Sequence, residues 1–319
     1  MEWNNCKCLV TGGAGFIGSN LVLELLKRGS KVTIIDNLST GSENKFNEHI
    51  SQGAIGIKGS ILDLSLLKKE AEKVDYIFHL AALPSITESI SSPLRTSEVN
   101  LNGTLNVLEA ARKAEVKKLI FTSSCAVYGS NSEIPLCEDA TPMPLSPYAV
   151  QKLSAEEFCK MYYEIYGLPT TTLRLFNVYG PGQSASSDYS AVIPKFVNSI
   201  ISKKNVKIYG DGFQSRDFVY VFDVVRSILK CVENPSSNGM QINIASGKKV
   251  SINEISKLVM KSLDSNIKPL YKDKRIGEIR HSLANISKAN NLIKYEPSYD
   301  LESGISETIK YYLENNKVN

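Results

Sequence analysis

The sequence predicts an α/β protein, with a doubly wound parallel sheet and a smaller mixed α/β domain after it. Three observations lead to this prediction. The first half of the 319-residue chain alternates short β-rich runs with longer helical patterns, which is typical of a parallel sheet covered on both faces. A glycine-rich turn follows the first run. Near residue 180 a polar loop replaces the next strand-helix unit. We therefore predict a first domain over residues 1–180 and a second over 181–319, allowing for segments of the second that pack back on the first.

The elements follow from hydrophobic periodicity and from the residues that end each run. Strands are predicted in the first half at Lys7–Thr11, 31–35, 54–58, 76–80, 117–122 and 170–176. Helices are predicted between them at 16–28, 101–114 and 148–166. The second half is predicted to hold short strands at 206–209, 218–221 and 241–244, with helices near 192–203, 222–233, 251–263 and 301–315.

Composition excludes several classes of function. The 37 Lys and Arg residues stand against 33 Asp and Glu residues, and the basic residues are scattered rather than concentrated on one face. That distribution argues against a nucleic-acid or membrane-surface partner. No apolar run approaches the ~20 residues of a membrane span, and the first residues lack an uninterrupted apolar stretch of signal-peptide type. Six sparse cysteines and three scattered histidines predict a reducing, cytoplasmic compartment and no metal site.

A glycine turn and a carboxylate point to a dinucleotide. Gly13, Gly15 and Gly18 satisfy G-x-G-x-x-G, and Gly12 offers an equivalent start. Glycines permit a tight turn and leave the helix N-terminus free to bind a diphosphate. Asp36 follows the second strand, where its carboxylate can accept hydrogen bonds from both ribose hydroxyls and repel a 2′-phosphate. The combination favours NAD over NADP and outweighs the alternative of a purely structural turn.

Tyr148 and Lys152 open the long third helix, and their four-residue spacing places them on one helical face. An ammonium group beside a phenol favours the phenolate, so a group with a pKa near ~10 can serve as a base. A packed ring with a solvated amine is the structural alternative. Beside a dinucleotide motif, the pair becomes a catalytic candidate.

These residues belong to a set of motifs that resembles the extended short-chain dehydrogenase/reductase superfamily, and within it the nucleotide-sugar 4-epimerases. The resemblance covers nearly the whole chain and implies a Rossmann first domain that binds NAD and a second domain that mainly binds the nucleotide sugar. Its motifs are those at residues 11–18, 36–37, 79–82, 100–104, 123–129, 148–152, 174–180, 215–218 and 275–278.

The resemblance also implies roles for individual residues. Tyr148 looks like the catalytic base, Lys152 its partner and the anchor of the nicotinamide ribose, and Ser124 the hydroxyl that positions the C4 oxygen. The implied cofactor residues are Gly12, Gly15, Phe16, Ile17, Gly18, Asp36, Asn37, Ser60, Ile61, Leu80, Ala81, Ala82 and Asn100, together with Tyr148 and Lys152. The implied substrate residues are Asn177, Val192, Lys207, Tyr209, Arg216, Arg275, Glu278 and Ser282, together with Ser124 and Tyr148.

The mechanism implied is a transient oxidation at C4 of a UDP-sugar, with hydride returned to the opposite face of a 4-keto sugar. A 4,6-dehydratase is the main alternative, but Cys125 and Ala126 stand where that family has an Asp-Glu pair. A UDP-glucuronate 4-epimerase, a keto-sugar reductase and an NAD-sensing regulatory protein remain further alternatives. A uronic-acid substrate would need a cation near its C6 carboxylate. The predicted loop that contains Glu88 has none, so such a substrate is less favoured.

One position bears on the sugar itself. Ser282 falls where epimerases restricted to non-acetylated hexoses carry a tyrosine, so we expect UDP-GlcNAc and UDP-GalNAc to be accepted along with UDP-Glc and UDP-Gal. The sequence leaves open whether UDP or dTDP is the carrier. The resemblance further implies a homodimer formed by a four-helix bundle from the helices at 101–114 and 148–166.

Overall fold

The computed structural model describes residues 2–184, 192–274 and 279–315. Its main feature is a seven-stranded sheet in the order β10-β6-β5-β4-β1-β2-β3, in which every pairing is parallel. The strands of this sheet are β1 (Lys7–Thr11), β2 (Lys31–Asp36), β3 (Ile55–Lys58), β4 (Tyr76–His79), β5 (Lys118–Ser124), β6 (Thr170–Leu175) and β10 (Met240–Ile244). The architecture confirms the predicted fold class.

Helices cover both faces of the sheet and build most of the second half. They are α1 (Phe16–Lys27), α2 (Glu43–Ser51), α3 (Leu64–Ala71), α4 (Ile86–Ser91), α5 (Pro93–Ser97), α6 (Gly103–Lys113), α7 (Pro147–Tyr166), α8 (Val192–Ile201), α9 (Val221–Glu233), α10 (Ile252–Ser262), α11 (Ser287–Ile293) and α12 (Leu301–Asn315). Short helical turns lie at Glu98–Asn102, Cys125–Tyr128 and Pro235–Ser237. None of the helices described is long and apolar enough to span a lipid bilayer.

Two hydrophobic cores lie on opposite faces of the sheet because successive side chains of a strand point to opposite sides. Val10 of β1 packs in the core that also receives α1 and α9, whereas the preceding Leu9 packs in the core under α6 and α7. Both side chains are fully buried. The strands therefore consist of nearly continuous apolar runs, as expected of a parallel sheet buried on both faces.

The sheet takes one strand from beyond residue 180. β10 pairs in parallel with β6, and Ile242 lies opposite Leu173. Helix α9 lies against α1 in the same core. This part of the second half packs back on the first, while the boundary at residue 180 itself stays a prediction.

The smaller sheets and a third core occupy the rest of the second half. One sheet has the order β11-β9-β7 and the other the order β12-β8. Their strands are β7 (Asn177–Tyr179), β8 (Lys207–Tyr209), β9 (Ser215–Tyr220), β11 (Lys249–Ser251) and β12 (Leu270–Lys272). Side chains of α8, α10 and α12 pack together around Tyr220. Val192 of α8, one of the residues predicted to bind the substrate, packs against this third core.

Helix α7 shows how local sequence defines an element that matters for the site. Ser146 caps its start by accepting a hydrogen bond from the amide of Ala149 at 3.2 Å, and Pro147 occupies the first turn, where its missing N–H costs nothing. Gly167 ends the helix in the left-handed conformation, with φ of 70°. The boundaries fall within one residue of the predicted 148–166 because both caps are local signals.

Candidate active site

The glycine turn lies between β1 and α1 in a space that only glycine fits. Gly12 has φ of 73°, and a Cβ atom there would lie 2.7 Å from the backbone nitrogen of Ala81. A Cβ at Gly18 would overlap the carbonyl oxygen of Gly12. At Gly15, by contrast, a Cβ would meet only that same carbonyl oxygen, at 3.2 Å. The turn therefore packs closely against the residues that follow β4 at Gly12, whereas the side at Gly15 is open.

The open side is the N-terminus of α1. The first intrahelical hydrogen bond runs from the amide of Ser19 to the carbonyl of Gly15 at 3.0 Å. The amides of Phe16, Ile17 and Gly18 precede that bond, so the helix itself offers them no acceptor. Amides at a helix N-terminus, with the positive end of the helix dipole, suit a diphosphate. The glycine cradle and these amides therefore fit the diphosphate of a dinucleotide.

Asp36 ends β2 beside this turn and is 7% exposed. Its Oδ2 accepts a hydrogen bond from the amide of Ala14 at 2.9 Å, and its Oδ1 accepts one from the amide of Leu38 at 2.8 Å. Each carboxylate oxygen keeps a further lone pair, so the group can still accept ribose hydroxyls. Asn37 is exposed and its Oδ1 accepts a hydrogen bond from the amide of Ser39. The carboxylate is therefore preorganised at the place predicted from the sequence.

The remaining predicted cofactor residues lie along the same edge of the sheet. They follow the carboxyl ends of β3 and β4, and they are Ser60, Ile61, Leu80, Ala81 and Ala82. Ligands of open α/β sheets bind outside the carboxyl ends of the strands, where the strand order reverses. Here the order reverses between β1 and β4. The structure brings together what the sequence scatters over some seventy residues.

The side chain of Asn100, which is predicted to contact the cofactor, is instead buried and hydrogen-bonded within the protein. Its side chain is 1% exposed, and both of its amide hydrogens are used, by the carbonyl of Leu83 at 3.0 Å and by Oε1 of Gln151 at 2.8 Å. Its Oδ1 accepts a hydrogen bond from the amide of Leu83 at 2.8 Å. The side chain thus ties the chain after β4 to helix α7. A direct contact of Asn100 with the cofactor stays a prediction.

His79 is a neutral, structural histidine. Thr104 donates its only hydroxyl proton to the carbonyl of Asn100 at 2.7 Å, so Nε2 of His79 must donate to Thr104 at 3.0 Å. Nδ1 then accepts from the hydroxyl of Thr11 at 2.7 Å. Burial and the positive charge of Lys152 lower the pKa of His79 to about 3, so the ring is uncharged at neutral pH. It connects β1, β4 and α6 behind the predicted site.

The three predicted catalytic residues converge at the start of α7 and the end of β5. The side chains of Tyr148 and Ser124 lie close enough for the serine hydroxyl to lower the pKa of the phenol. Tyr148 is 8% exposed, and Ser124 begins the helical turn Cys125–Tyr128. One helical turn after the tyrosine, Nζ of Lys152 donates to the carbonyl of Thr122 at 2.9 Å. Residues from two separate elements therefore share one pocket.

The electrostatics of this pocket are dominated by burial. Burial raises the pKa of Tyr148 to about 12, against the hydrogen bond from Ser124, which lowers it. Burial also lowers the pKa of Lys152 to about 8. The expected lowering of the phenol's pKa by the ammonium of Lys152 is not seen in the chain alone, where burial and the neighbouring Ser124 and Cys125 set the pKa of Tyr148. A positive charge in the bound ligand is therefore needed to favour the phenolate.

Apart from Ser124 and Tyr148, the predicted substrate residues that the structure describes follow β6 in the chain. Arg216 is placed near the catalytic segment, because its charge acts to lower the pKa of the Cys125 thiol while burial raises that pKa to about 11. Ser282 is 8% exposed, and its amide donates to the carbonyl of Ser215 at 3.1 Å. Asn177 begins β7, Val192 begins α8, and Lys207 and Tyr209 lie on β8. Arg275 and Glu278 lie outside the described residues.

Sequence reasoning assigned no role to a buried polar network beside Ser124. Its charged members are Glu156 and Arg174, which are 0% and 4% exposed. An arginine inside the otherwise uncharged strand β6 was the available signal, because an isolated charge is rarely buried without a partner. Among the described residues, no group of three or more His, Cys, Asp or Glu side chains is placed to bind a metal ion.

Comparison with known proteins gives consistent matches over the whole chain. The model of a family described as the NAD dependent epimerase/dehydratase family matches residues 8–245. A curated UDP-glucose 4-epimerase of Mycolicibacterium smegmatis is 35% identical over 309 residues, covering 96% of this chain and 98% of that protein.

Solved structures also match this chain over nearly its whole length. A UDP-N-acetylglucosamine 4-epimerase from Methanobrevibacter ruminantium, solved in complex with UDP-N-acetylmuramic acid, is 42% identical with a TM-score of 0.94, covering 98% of this chain and 99% of that one. A UDP-glucose 4-epimerase from Thermotoga maritima, solved with UDP-glucose, is 36% identical with a TM-score of 0.93, covering 97% and 99%.

Proposed function

The chain belongs to the NAD dependent epimerase/dehydratase family, and from this premise we propose that it is an isomerase that interconverts UDP-sugars at C4. The observation that carries the proposal is the convergence of Tyr148, Lys152 and Ser124 beside the glycine turn. Similar proteins that match over nearly their full length are named UDP-glucose 4-epimerase and UDP-N-acetylglucosamine 4-epimerase. NAD, when bound, supplies a reversible oxidation of the sugar at C4.

The residues of the chain perform the proton transfer and the positioning. Ser124 and Tyr148 lie close to each other, so a hydroxyl at C4 of the sugar can bind both. With a pKa of about 12, the phenol of Tyr148 is protonated at neutral pH in the chain alone, which is the form that returns a proton to the 4-keto sugar. The cationic ring of the bound cofactor favours the phenolate, which is the form that removes the proton. Lys152, fixed on the carbonyl of Thr122, holds the nicotinamide ribose.

A binding site for the diphosphate of the sugar nucleotide includes Arg216, whose guanidinium suits phosphate oxygens. The alternative is a surface arginine or one that forms an ion pair with Asp217 or Glu278, and of these two carboxylates the structure describes that of Asp217. The carboxylate of Asp217 is fully buried and accepts hydrogen bonds from Ser246, Gly247 and Ala284. Tyr209 lines a small cavity together with Gln214 and Arg280, and holding the nucleobase is its role in this proposal.

Acetylated sugars are part of the proposal because Ser282 is small. Its backbone amide is held by the carbonyl of Ser215, so the side chain at this position has a defined direction. The test is the ratio of activity on UDP-GlcNAc to activity on UDP-Glc, measured for the wild type and for Ser282→Tyr. A tyrosine should depress the ratio by filling the space of the 2-acetamido group. An unchanged ratio would mean that this position is not a gate.

The competing reactions have less support. A dehydratase needs an acid and a base after Ser124, and Cys125, whose thiol has a pKa raised to about 11 by burial, is a poor substitute. Glu88 lies in helix α4 rather than in the predicted loop, and a cation is next to it, because Nη1 of Arg95 lies 3.3 Å from Oε1 of Glu88. That arginine is already paired with a carboxylate, so UDP-glucuronate is not favoured.

One experiment separates these functions. Purified protein is incubated with UDP-Glc, UDP-GlcNAc, UDP-glucuronate and the dTDP analogue, and products are identified by NMR while absorbance at the NADH band is followed. Inversion at C4 without net NADH supports the epimerase and shows which carrier is used. Stoichiometric NADH indicates a dehydrogenase or reductase, loss of the C6 hydroxyl indicates a dehydratase, and binding of NAD without any turnover indicates a regulatory protein.

We further propose that the protein acts in the cytoplasm as a homodimer. Helix α7 exposes apolar side chains, among them Val150 at 49% and Ile165 at 67%, as a helix that pairs with another copy would. All six cysteines are free thiols, in keeping with a reducing compartment. Light scattering of the wild type and of Ile165→Lys tests the dimer. A monomeric wild type at micromolar concentration would contradict it.

A further inference from the structure

A buried ion pair lies directly beside the predicted catalytic serine. Nε of Arg174 donates to both carboxylate oxygens of Glu156, at 3.2 and 3.0 Å, and Nη2 donates to Oε2 at 2.8 Å. The hydroxyl of Ser123 donates to Oε1 of the same carboxylate. Glu156 is fully buried and Arg174 is 4% exposed. The pair is thus held in one geometry by several charge-assisted hydrogen bonds.

The same arginine also holds the chain on the other side of the serine. Its Nη1 donates to the hydroxyl of Tyr128 at 3.0 Å and to the carbonyl of Glu138 at 3.0 Å. The hydroxyl of Tyr128 donates in turn to Oδ1 of Asn243 at 2.6 Å. Asn243 lies on β10, and its Nδ2 donates to the carbonyl of Leu136 at 2.9 Å. Every polar group of the guanidinium therefore has a partner.

These contacts lie on both sides of Ser124 in the chain. Ser123 immediately precedes Ser124, and Tyr128 closes the helical turn that Ser124 begins. The ion pair therefore holds the chain on both sides of the catalytic serine. Glu156 also lies one helical turn beyond Lys152 on α7. The pair consequently ties the helix of the tyrosine and lysine to the strand of the serine.

We propose that Glu156 and Arg174 are positioning residues for catalysis, which hold Ser124 in register with Tyr148; the proposal rests on the proposed epimerase function. Buried ion pairs contribute little net stability compared with apolar residues of the same volume, because desolvation offsets their attraction. What such a pair supplies is a fixed position for the residues bonded to it. A serine and a tyrosine that must both bind one hydroxyl lose rate steeply when their distance changes.

The sharpest test removes one hydrogen bond on each side of the serine without leaving a buried charge unpaired. Ser123→Ala and Tyr128→Phe are the variants. Their matched controls are Ser227→Ala and Tyr295→Phe, which remove equally buried hydroxyls that donate to backbone carbonyls elsewhere, at 2.7 and 2.9 Å. We expect the first pair to lower kcat about tenfold with KM and bound NAD unchanged, and the controls to stay within about twofold. Equal losses in the controls would overturn the proposal.

A double-mutant cycle shows whether the effect passes through Ser124. In a Ser124→Ala background, we expect Ser123→Ala to lower kcat by less than about twofold further, because its target is already gone. A further loss as large as in the wild-type background contradicts the proposal. Glu156→Gln and Arg174→Met serve as supporting variants only, since each leaves the other charge buried and unpaired.

A readout independent of activity separates this proposal from the proposed function. The amide of Ala126 donates to Oγ of Ser124 at 3.2 Å, so its hydrogen exchange reports whether the serine is held. We expect exchange in the segment 123–129 to be faster in Ser123→Ala than in the wild type or Ser227→Ala. Unchanged exchange would overturn the positioning role. A wild type that epimerises no sugar would overturn the proposed function instead.

Discussion

Replacing Lys118 with methionine should change how the stability of this protein depends on pH. Lys118 begins β5 and is 4% exposed. Its ammonium donates to the carbonyl of Cys231 at 2.5 Å and to the hydroxyl of Ser237 at 2.7 Å, which places a cation at the C-terminal end of α9. Burial lowers the pKa of this amine from 10.5 to about 8, since these partners do not replace its lost hydration.

The direction of the effect follows from the protons bound in each state. Below pH 8 the amine is charged in both the folded and unfolded chains, so the cost of burying the charge is fully present. Between about pH 8 and 10.5 the unfolded chain binds the proton and the folded chain does not, so the free energy of unfolding rises with pH. The difference in pKa corresponds to about 3 kcal/mol, at about 1.4 kcal/mol for each pH unit.

The assay is urea unfolding of the wild type and Lys118→Met at intervals from pH 6.5 to 10. We expect the wild type to gain stability relative to the variant above pH 8, toward a limit of about 3 kcal/mol that is reached near pH 10.5. The thiol of Cys231 has a pKa raised by burial to about 12, so it stays protonated through this range. Lys204→Met, at an exposed lysine, is the control and should retain the wild-type pH dependence. Parallel curves for the wild type and Lys118→Met would refute the reasoning.

Three further predictions concern the active site. Tyr148→Phe should lower kcat by about 10³-fold or more while NAD stays bound, as measured by product NMR and by the absorbance of retained cofactor; full activity would contradict the assignment. Gly18→Ala places a methyl group against the carbonyl oxygen of Gly12. We therefore expect the variant to be purified without bound cofactor and to have a lower Tm. A normal cofactor content would contradict this prediction by showing that the turn can adjust. Asp36→Asn replaces one carboxylate oxygen, which accepts a hydrogen bond from the amide of Ala14 or Leu38, with an NH2 group that can only donate. In a fluorescence titration, the affinity for NAD should fall about tenfold, and the ratio of the affinity for NAD to that for NADP should become smaller.

The strands of the main sheet were predictable because each is a short apolar run bounded by turn residues. β1 was predicted without error, and the ends of β2 to β6 and β10 shift by at most two residues. The turn at Gly12–Gly18 and the pair Tyr148 and Lys152 were likewise visible, because their partners lie close in sequence. Local signals of this kind need no knowledge of tertiary contacts.

Short helices were harder to predict. The pattern does not predict α2 to α5 or α11, which are five to nine residues long. About two and a half turns or fewer give too few residues for a periodic pattern, and such helices form mainly because of tertiary packing. The helix predicted at 101–114 begins later, at Gly103, because a π-helical turn precedes it.

The sequence by itself determined the strands of the main sheet, the longer helices, the glycine turn and the residue types of the predicted catalytic set, since each depends on contacts within a few residues. The tertiary structure alone decided which distant segments meet. It placed β10 next to β6, pinned Asn100 to Gln151, and set Arg174 between Glu156 and Tyr128. Pairings of this kind depend on how the whole chain packs, because a buried polar group takes whichever partner the fold brings within hydrogen-bond distance.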